Sequence, residues 1–236
     1  MEQSSTSTLL QGTVLDLASD VVSALRSGDH VRAGGLAPGG PDDDVTRAAV
    51  RVLGADTLLP TVLLGVPPDP ERLAVFTEAV AAHRPRPDAA PTVVWSHWAM
   101  TRVLRRLDDP GTPPPLDDPP ARPDATWLDE AGWQYLTHQL AVLAPLALPG
   151  EDSAVLRTAQ SRPVDVARGF VRAVRRRDWR QAAGAGRWLT LLDGVPDTLG
   201  LETGLEFVRL MGGDDPRVAL QLEAARLLSC PVGALR

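Results

Sequence analysis

The stretch Asp165–Ala182, DVARGFVRAVRRRDWRQA, decides the reading of this chain when it is set against Asp16–Ala33, DLASDVVSALRSGDHVRA. The two align without gaps and share seven of eighteen residues: Asp16/Asp165, Ala18/Ala167, Val22/Val171, Ala24/Ala173, Arg26/Arg175, Asp29/Asp178 and Ala33/Ala182. Each carries apolar residues at helical spacing, Leu17, Val21, Val22 and Leu25 in one and Val166, Phe170, Val171 and Val174 in the other. That period predicts an amphipathic helix with these positions in the core.

Two more blocks follow in the same order. Val52–Leu64 aligns with Thr198–Leu210 through the shared pattern L-G-x-[DE]-T-x-L-x-x-V-x-L, and Arg72–Ala79 aligns with Arg217–Ala224. Three collinear blocks point to an internal duplication, with convergence of similar helices as the competing explanation. The expected architecture is all-α, with about ten helices: two related helical units flanking a central helical hairpin. The units would span 1–83 and 161–236, the insert 84–160, folded together as one compact domain. A unit of this size cannot bury its apolar face alone, so the copies would pack on each other or stack.

The rest of the chain agrees with a helical reading. Ala, Leu and Arg are plentiful, there is no Ile, and no run alternates with a strand period. Helices are expected at 13–27, 43–53, 58–66, 70–83, 92–107, 127–144, 151–159, 163–177, 179–192, 203–211 and 216–229. Asp69 and Asp215 each precede Pro, which suits a capping residue followed by the first helical position. Thr203 with Glu206 matches a capping box, and Thr126 with Asp129 is a looser version. Residues 108–125 hold seven Pro and five Asp, a composition for an extended connection.

Composition removes several function classes. The chain has 236 residues, net charge −6 and one cysteine, Cys230. All 24 basic residues are Arg, and Lys, Ile and Asn do not occur, as in a high-GC, actinobacterial-like coding sequence. Without Lys there is no GxxxxGK[ST] phosphate loop, no Schiff-base lysine and no pyridoxal linkage. One Cys and four His give no zinc pattern, so neither a cofactor nor a metal is expected. Asp42-Asp43-Asp44 reads as helix N-terminal charge rather than a cation site. No segment has the shape of a signal peptide or a membrane span, and the expectation is a soluble cytoplasmic protein.

The duplication also separates surface from core. Ser19, Ser23 and Ser27 of the first copy correspond to Arg168, Arg172 and Arg176 of the second, and Arg175 and Arg180 extend the cationic face. Such a face suits an acidic or anionic partner. The competing reading is a solvated face, or pairing with acids at 108–124 or Asp42–Asp44. On the predicted helix 92–107, Trp95 and Trp98 share a side with Arg102, Arg105 and Arg106, opposite Val93, Met100, Val103, Leu104 and Leu107. Trp with Arg is the composition of interface anchors. On 127–144, Glu130 and His138 fall on one helical side opposite Leu128, Tyr135, Leu136, Leu140, Val142 and Leu143.

These features predict a non-enzymatic helical protein-interaction or assembly module, binding a protein partner or a second copy of itself through Trp/Arg faces. A second reading is a small-ligand protein or enzyme with a pocket between the central helices, using Glu130, His138, His97 or Tyr135. A third is nucleic-acid binding through the local basic patch; the acidic net charge and the lack of a reading module argue against it. The absence of apolar spans argues against membrane binding.

Overall fold

A computed structural model describes residues 2–28, 43–108 and 123–229, with side chains from 6–28, 44–107 and 123–229. Among these residues the protein is all-helical, with no strand. Expectations that fall on Asp29, Ala33, Asp42, Cys230 and the Pro/Asp-rich residues 109–122 lie outside the described residues, as does the side chain of Asp43. Contacts divide the chain into two compact units, Met1–Pro119 and Pro120–Arg236. The residues read as a central insert, 84–160, are thereby shared between the two.

The first unit contains α1 (Glu2–Ser27), α2 (Asp43–Leu53), a 3-10 turn (Gly54–Leu58), α3 (Leu59–Leu64), α4 (Pro70–Ala82) and α5 (Pro91–Asp108). Helix α1 begins some eleven residues before the predicted start at 13, because no Pro or Gly interrupts Glu2–Gln11. Its stripe Leu17, Val21, Val22 and Leu25 is buried, joined by Val14 and Ala18. The stripe packs on α2 and α3, and α2 packs on α4. Helix α4 starts as predicted: the Asp69 Oδ1 accepts from the backbone N–H of Glu71 and of Arg72. The Arg72 side chain then runs inward, 2% exposed, and donates to Asp20 at 3.3 Å. Burial holds the Asp20 carboxyl above its ordinary range, against the attraction of Arg72. The same burial lowers Arg72 itself. Desolvation outweighs attraction on both sides of this pair.

The second unit contains α6 (Thr126–Asp129), α7 (Trp133–Val142), a 3-10 turn (Ala144–Leu146), α8 (Ala154–Ser161), α9 (Pro163–Arg175), α10 (Trp179–Leu189), a second 3-10 turn (Asp197–Leu199), α11 (Leu201–Gly212) and α12 (Pro216–Ser229). Helix α10 is its axis and is packed on by α7, α9, α11 and α12. Every residue from Ala182 to Leu189 is buried. The sequence AAGAG at 182–186 makes this possible, because small residues let neighbouring backbones approach. A Cβ on Gly184 would stand 2.8 Å from the Ala141 carbonyl oxygen of α7. Two buried polar side chains of α10 bond to neighbouring segments. Arg187, 0% exposed, donates from Nε to the Ala147 carbonyl and from Nη1 to the Gln221 Oε1. Trp188 Nε1 donates to the Leu140 carbonyl at 2.6 Å.

Other predicted helix limits and caps are corrected as well. The helix expected over 127–144 is two helices, broken at Glu130–Gly132, where Gly132 takes an extended ψ of 148° before α7. Helix α11 starts at Leu201 rather than 203, because Gly200 turns the chain with a left-handed backbone. Thr203 is therefore inside the helix, and Glu206 pairs with Arg209 instead of closing a capping box. At α6 Thr126 is the first helical residue and Ala125 the N-cap, without a side-chain cap; the Asp124 Oδ1, one residue earlier, accepts from the Thr126 N–H. Asp215 caps α12 as expected, accepting from the Arg217 N–H at 3.0 Å.

Candidate functional site

Helix α9 carries the cationic face. Pro163 opens the helix, and Val166, Ala167, Gly169, Phe170 and Ala173 face inward. That leaves Arg168, Arg172, Arg175 and Arg176 on the exposed side at 3.6-residue spacing. Val171 and Val174, which the alignment assigned to the core, are half-buried. Val171 lies on the floor of an open groove of about 680 Å³ together with Trp133, Val164, Ala167 and Leu199. The rim carries Arg168, Arg172, Arg175 and Arg176. The groove exists because the loop after α10 returns past α9: its 3-10 turn at Asp197–Leu199 supplies the far wall.

The arginines differ in how they are compensated. Arg168 reaches Asp165 at 3.5 Å, and Asp165 is already held by Arg162 at 2.7 Å. Arg180 pairs with Asp215 at 2.8 Å. Arg172, Arg175, Arg176 and Arg177 have no ion pair among the described residues. Arg172 instead lies over the Trp133 ring, 5.6 Å from its centroid. That is within cation–π range and holds one guanidinium above the apolar floor.

On the other side of Arg172 and Arg176 is a second, polar cleft of about 320 Å³. Gln134, His138, Ala173, Asp178 and Gln181 complete its lining. Asp178 is the acid among these residues, and its Oδ1 accepts from the Gln181 N–H as the cap of α10.

The face expected on α5 is changed by the structure. Trp95 is fully buried, so it is not a surface anchor. The inward stripe is Trp95, Ala99, Met100 and Val103, while Val93, expected inside, is exposed. Leu104 and Leu107 are half-buried. Trp98 meets Trp95 edge-on at 5.1 Å and is covered by the Arg102 guanidinium at 5.2 Å. Arg105 is exposed and Arg106 half-buried.

The residues weighed for chemistry divide between the two units. His97 belongs to the first unit, where its Nε2–H donates to the Val80 carbonyl at 3.2 Å. Burial pushes its imidazole below the ordinary range, the Arg51 and Arg84 charges add to this, and the hydrogen bond to Val80 opposes it. Glu130 lies in the break between α6 and α7, which removes it from the face of His138. Tyr135 is 53% exposed and meets Trp127 edge-on at 6.2 Å. His138 lies in the polar cleft beside Arg172 and Arg176. Among the described residues no three His, Cys, Asp or Glu side chains group to hold a metal ion. Among the described residues no helix is long and apolar enough to cross a membrane.

Sequence reasoning found the arginines but missed Trp133, Val164, Pro196 and Leu199 as groove residues. They come from three separate segments, and no local period connects them. The sequence matches no family model, no curated protein and no solved structure.

Proposed function

We propose that this chain is a non-enzymatic protein-interaction module, and that its second unit docks an acidic, amphipathic segment of a partner protein. The observation that carries the reading is the groove along α9, with an apolar floor of Trp133, Val164, Val171 and Leu199 under a rim of four arginines. An apolar floor favours burial of aliphatic side chains, and the rim favours carboxylates beside them. The α5 face is the weaker site, since Trp95 is internal and Trp98 is covered by Arg102.

Fluorescein-labelled peptides with Leu and Asp at helical spacing, titrated against the full chain, test this. Binding is expected to weaken about tenfold or more in Arg172→Glu/Arg176→Glu and in Val171→Asp, and to fall with salt. Equal binding of an uncharged Leu/Gln peptide, or unchanged binding by both variants, would overturn it. A labelled DNA duplex that binds more tightly than every peptide would favour the nucleic-acid reading instead.

A further inference from the structure

The polar cleft beside the groove has chemistry that carboxylate recognition does not require. We infer that it reads a phosphoryl group borne on the docked segment, with His138, Arg172, Arg176, Gln134 and Gln181 as the reading residues. This rests on the docking role proposed for the adjoining groove.

The argument starts from charge. Arg172 and Arg176 stand one turn apart, a spacing at which like charges repel along a helix. Arg175 and Arg177 flank Arg176, and none of the four has an ion pair among the described residues. A single carboxylate brings one negative charge and two oxygens. A phosphate monoester brings nearly two charges and three terminal oxygens, which matches two guanidinium forks better. The remaining lining supplies further donors: the His138 imidazole and the side-chain amides of Gln134 and Gln181. Asp178 keeps its negative charge while its Oδ1 accepts from the Gln181 N–H at the start of α10, and against the two guanidiniums of Arg172 and Arg176 it leaves the lining net cationic.

Placement then joins the cleft to the groove. Arg172 and Arg176 line both. Arg172 is held over the Trp133 ring, so one guanidinium can face apolar atoms in the groove and oxygens in the cleft. A ligand with a phosphoryl group and an attached apolar part spans the two. Free phosphate shares the anionic chemistry but leaves the groove empty.

Phenyl phosphate, benzoate and inorganic phosphate, titrated into the full chain and followed by proton NMR, separate these cases. The signals to follow are the His138 ring and the Trp133 indole N–H, assigned with His138→Gln and Trp133→Phe. Phenyl phosphate is expected to move both signals, and to bind about tenfold more tightly than benzoate or inorganic phosphate. Arg176→Gln is expected to remove most of that preference while retaining the wild-type melting temperature within about 2 °C. Benzoate binding as tightly as phenyl phosphate overturns the inference and leaves peptide docking standing. Inorganic phosphate binding as tightly as phenyl phosphate, with the Trp133 signal unmoved, makes this a free-anion site and also overturns it. No movement of His138 with any probe at tens of millimolar overturns it outright.

Discussion

Gly28 and Arg177 occupy the same place in the two aligned segments, and both hold a left-handed backbone, with φ of 70° and 57°. Each ends its helix. The Gly28 N–H donates to the Ala24 carbonyl at 3.0 Å. After α9 the Asp178 N–H donates to Ala173 and the Arg177 N–H to Val174, both at 3.0 Å, which is a Schellman closure. Glycine adopts this conformation freely, whereas an arginine Cβ crowds the carbonyl. The second unit thus places a cation where the backbone prefers glycine.

Arg177→Gly is therefore expected to raise stability by about 1 kcal/mol, read as a shift in the urea midpoint at unchanged slope. Gly28→Arg should lower it by a similar amount. An Arg177→Gly protein no more stable than the parent would mean that the side chain contributes a contact that offsets the strain.

Gly169 is where α9 crosses α7. A Cβ there would lie 2.0 Å from the Thr137 Oγ1 and 2.3 Å from its Cβ. Gly169→Ala should destabilise by about 1–3 kcal/mol, with partial recovery in the double variant with Thr137→Gly. Additive effects in the thermal melts of the single and double variants would show that the two positions do not meet.

Trp188→Phe keeps the buried ring but removes the donor to the Leu140 carbonyl. The expected loss is about 1–3 kcal/mol in chemical unfolding, since the acceptor stays in a dry interior. A variant as stable as the parent would show that this carbonyl is satisfied in another way.

His97 gives a pH dependence with a defined sign. Its folded pKa lies below the ordinary value of 6.5. Above that value the imidazole is neutral in both states and has no effect. As pH falls through 6.5 the unfolded chain takes up the proton first, so stability declines until the folded pKa is passed. His97→Gln keeps an N–H for Val80 and cannot titrate there. It should lose less stability than the parent between about pH 7 and pH 5. Parallel curves for the two proteins would count against a half-buried imidazole held neutral.

The helices were legible from the sequence wherever period and caps are local signals. Asp69-Pro70 and Asp215-Pro216 mark their helices because capping involves neighbours two and three residues away. The stripe Leu17, Val21, Val22 and Leu25 marks the buried side of α1 because a helix repeats every 3.6 residues. Local signals failed where a glycine overrode them. Gly132 divides α6 from α7, and Gly200 moves the start of α11 two residues before the capping pattern at Thr203. They failed also at Trp95, whose position beside the arginines suggested exposure. Large aromatics bury wherever a second surface covers them, and only the packing of α5 shows that one does.

Sequence alone determined the helical class, several of the helix ends and the placement of six arginines between Arg168 and Arg180, because each depends on residue type and short-range spacing. Tertiary structure decided which of those arginines pair, and that Trp133, Val171 and Leu199 meet beneath them as a groove floor. The three floor residues come from α7, α9 and the loop before α11. Only the crossing of helices, made close by Gly169 and Gly184, brings such distant positions to one surface.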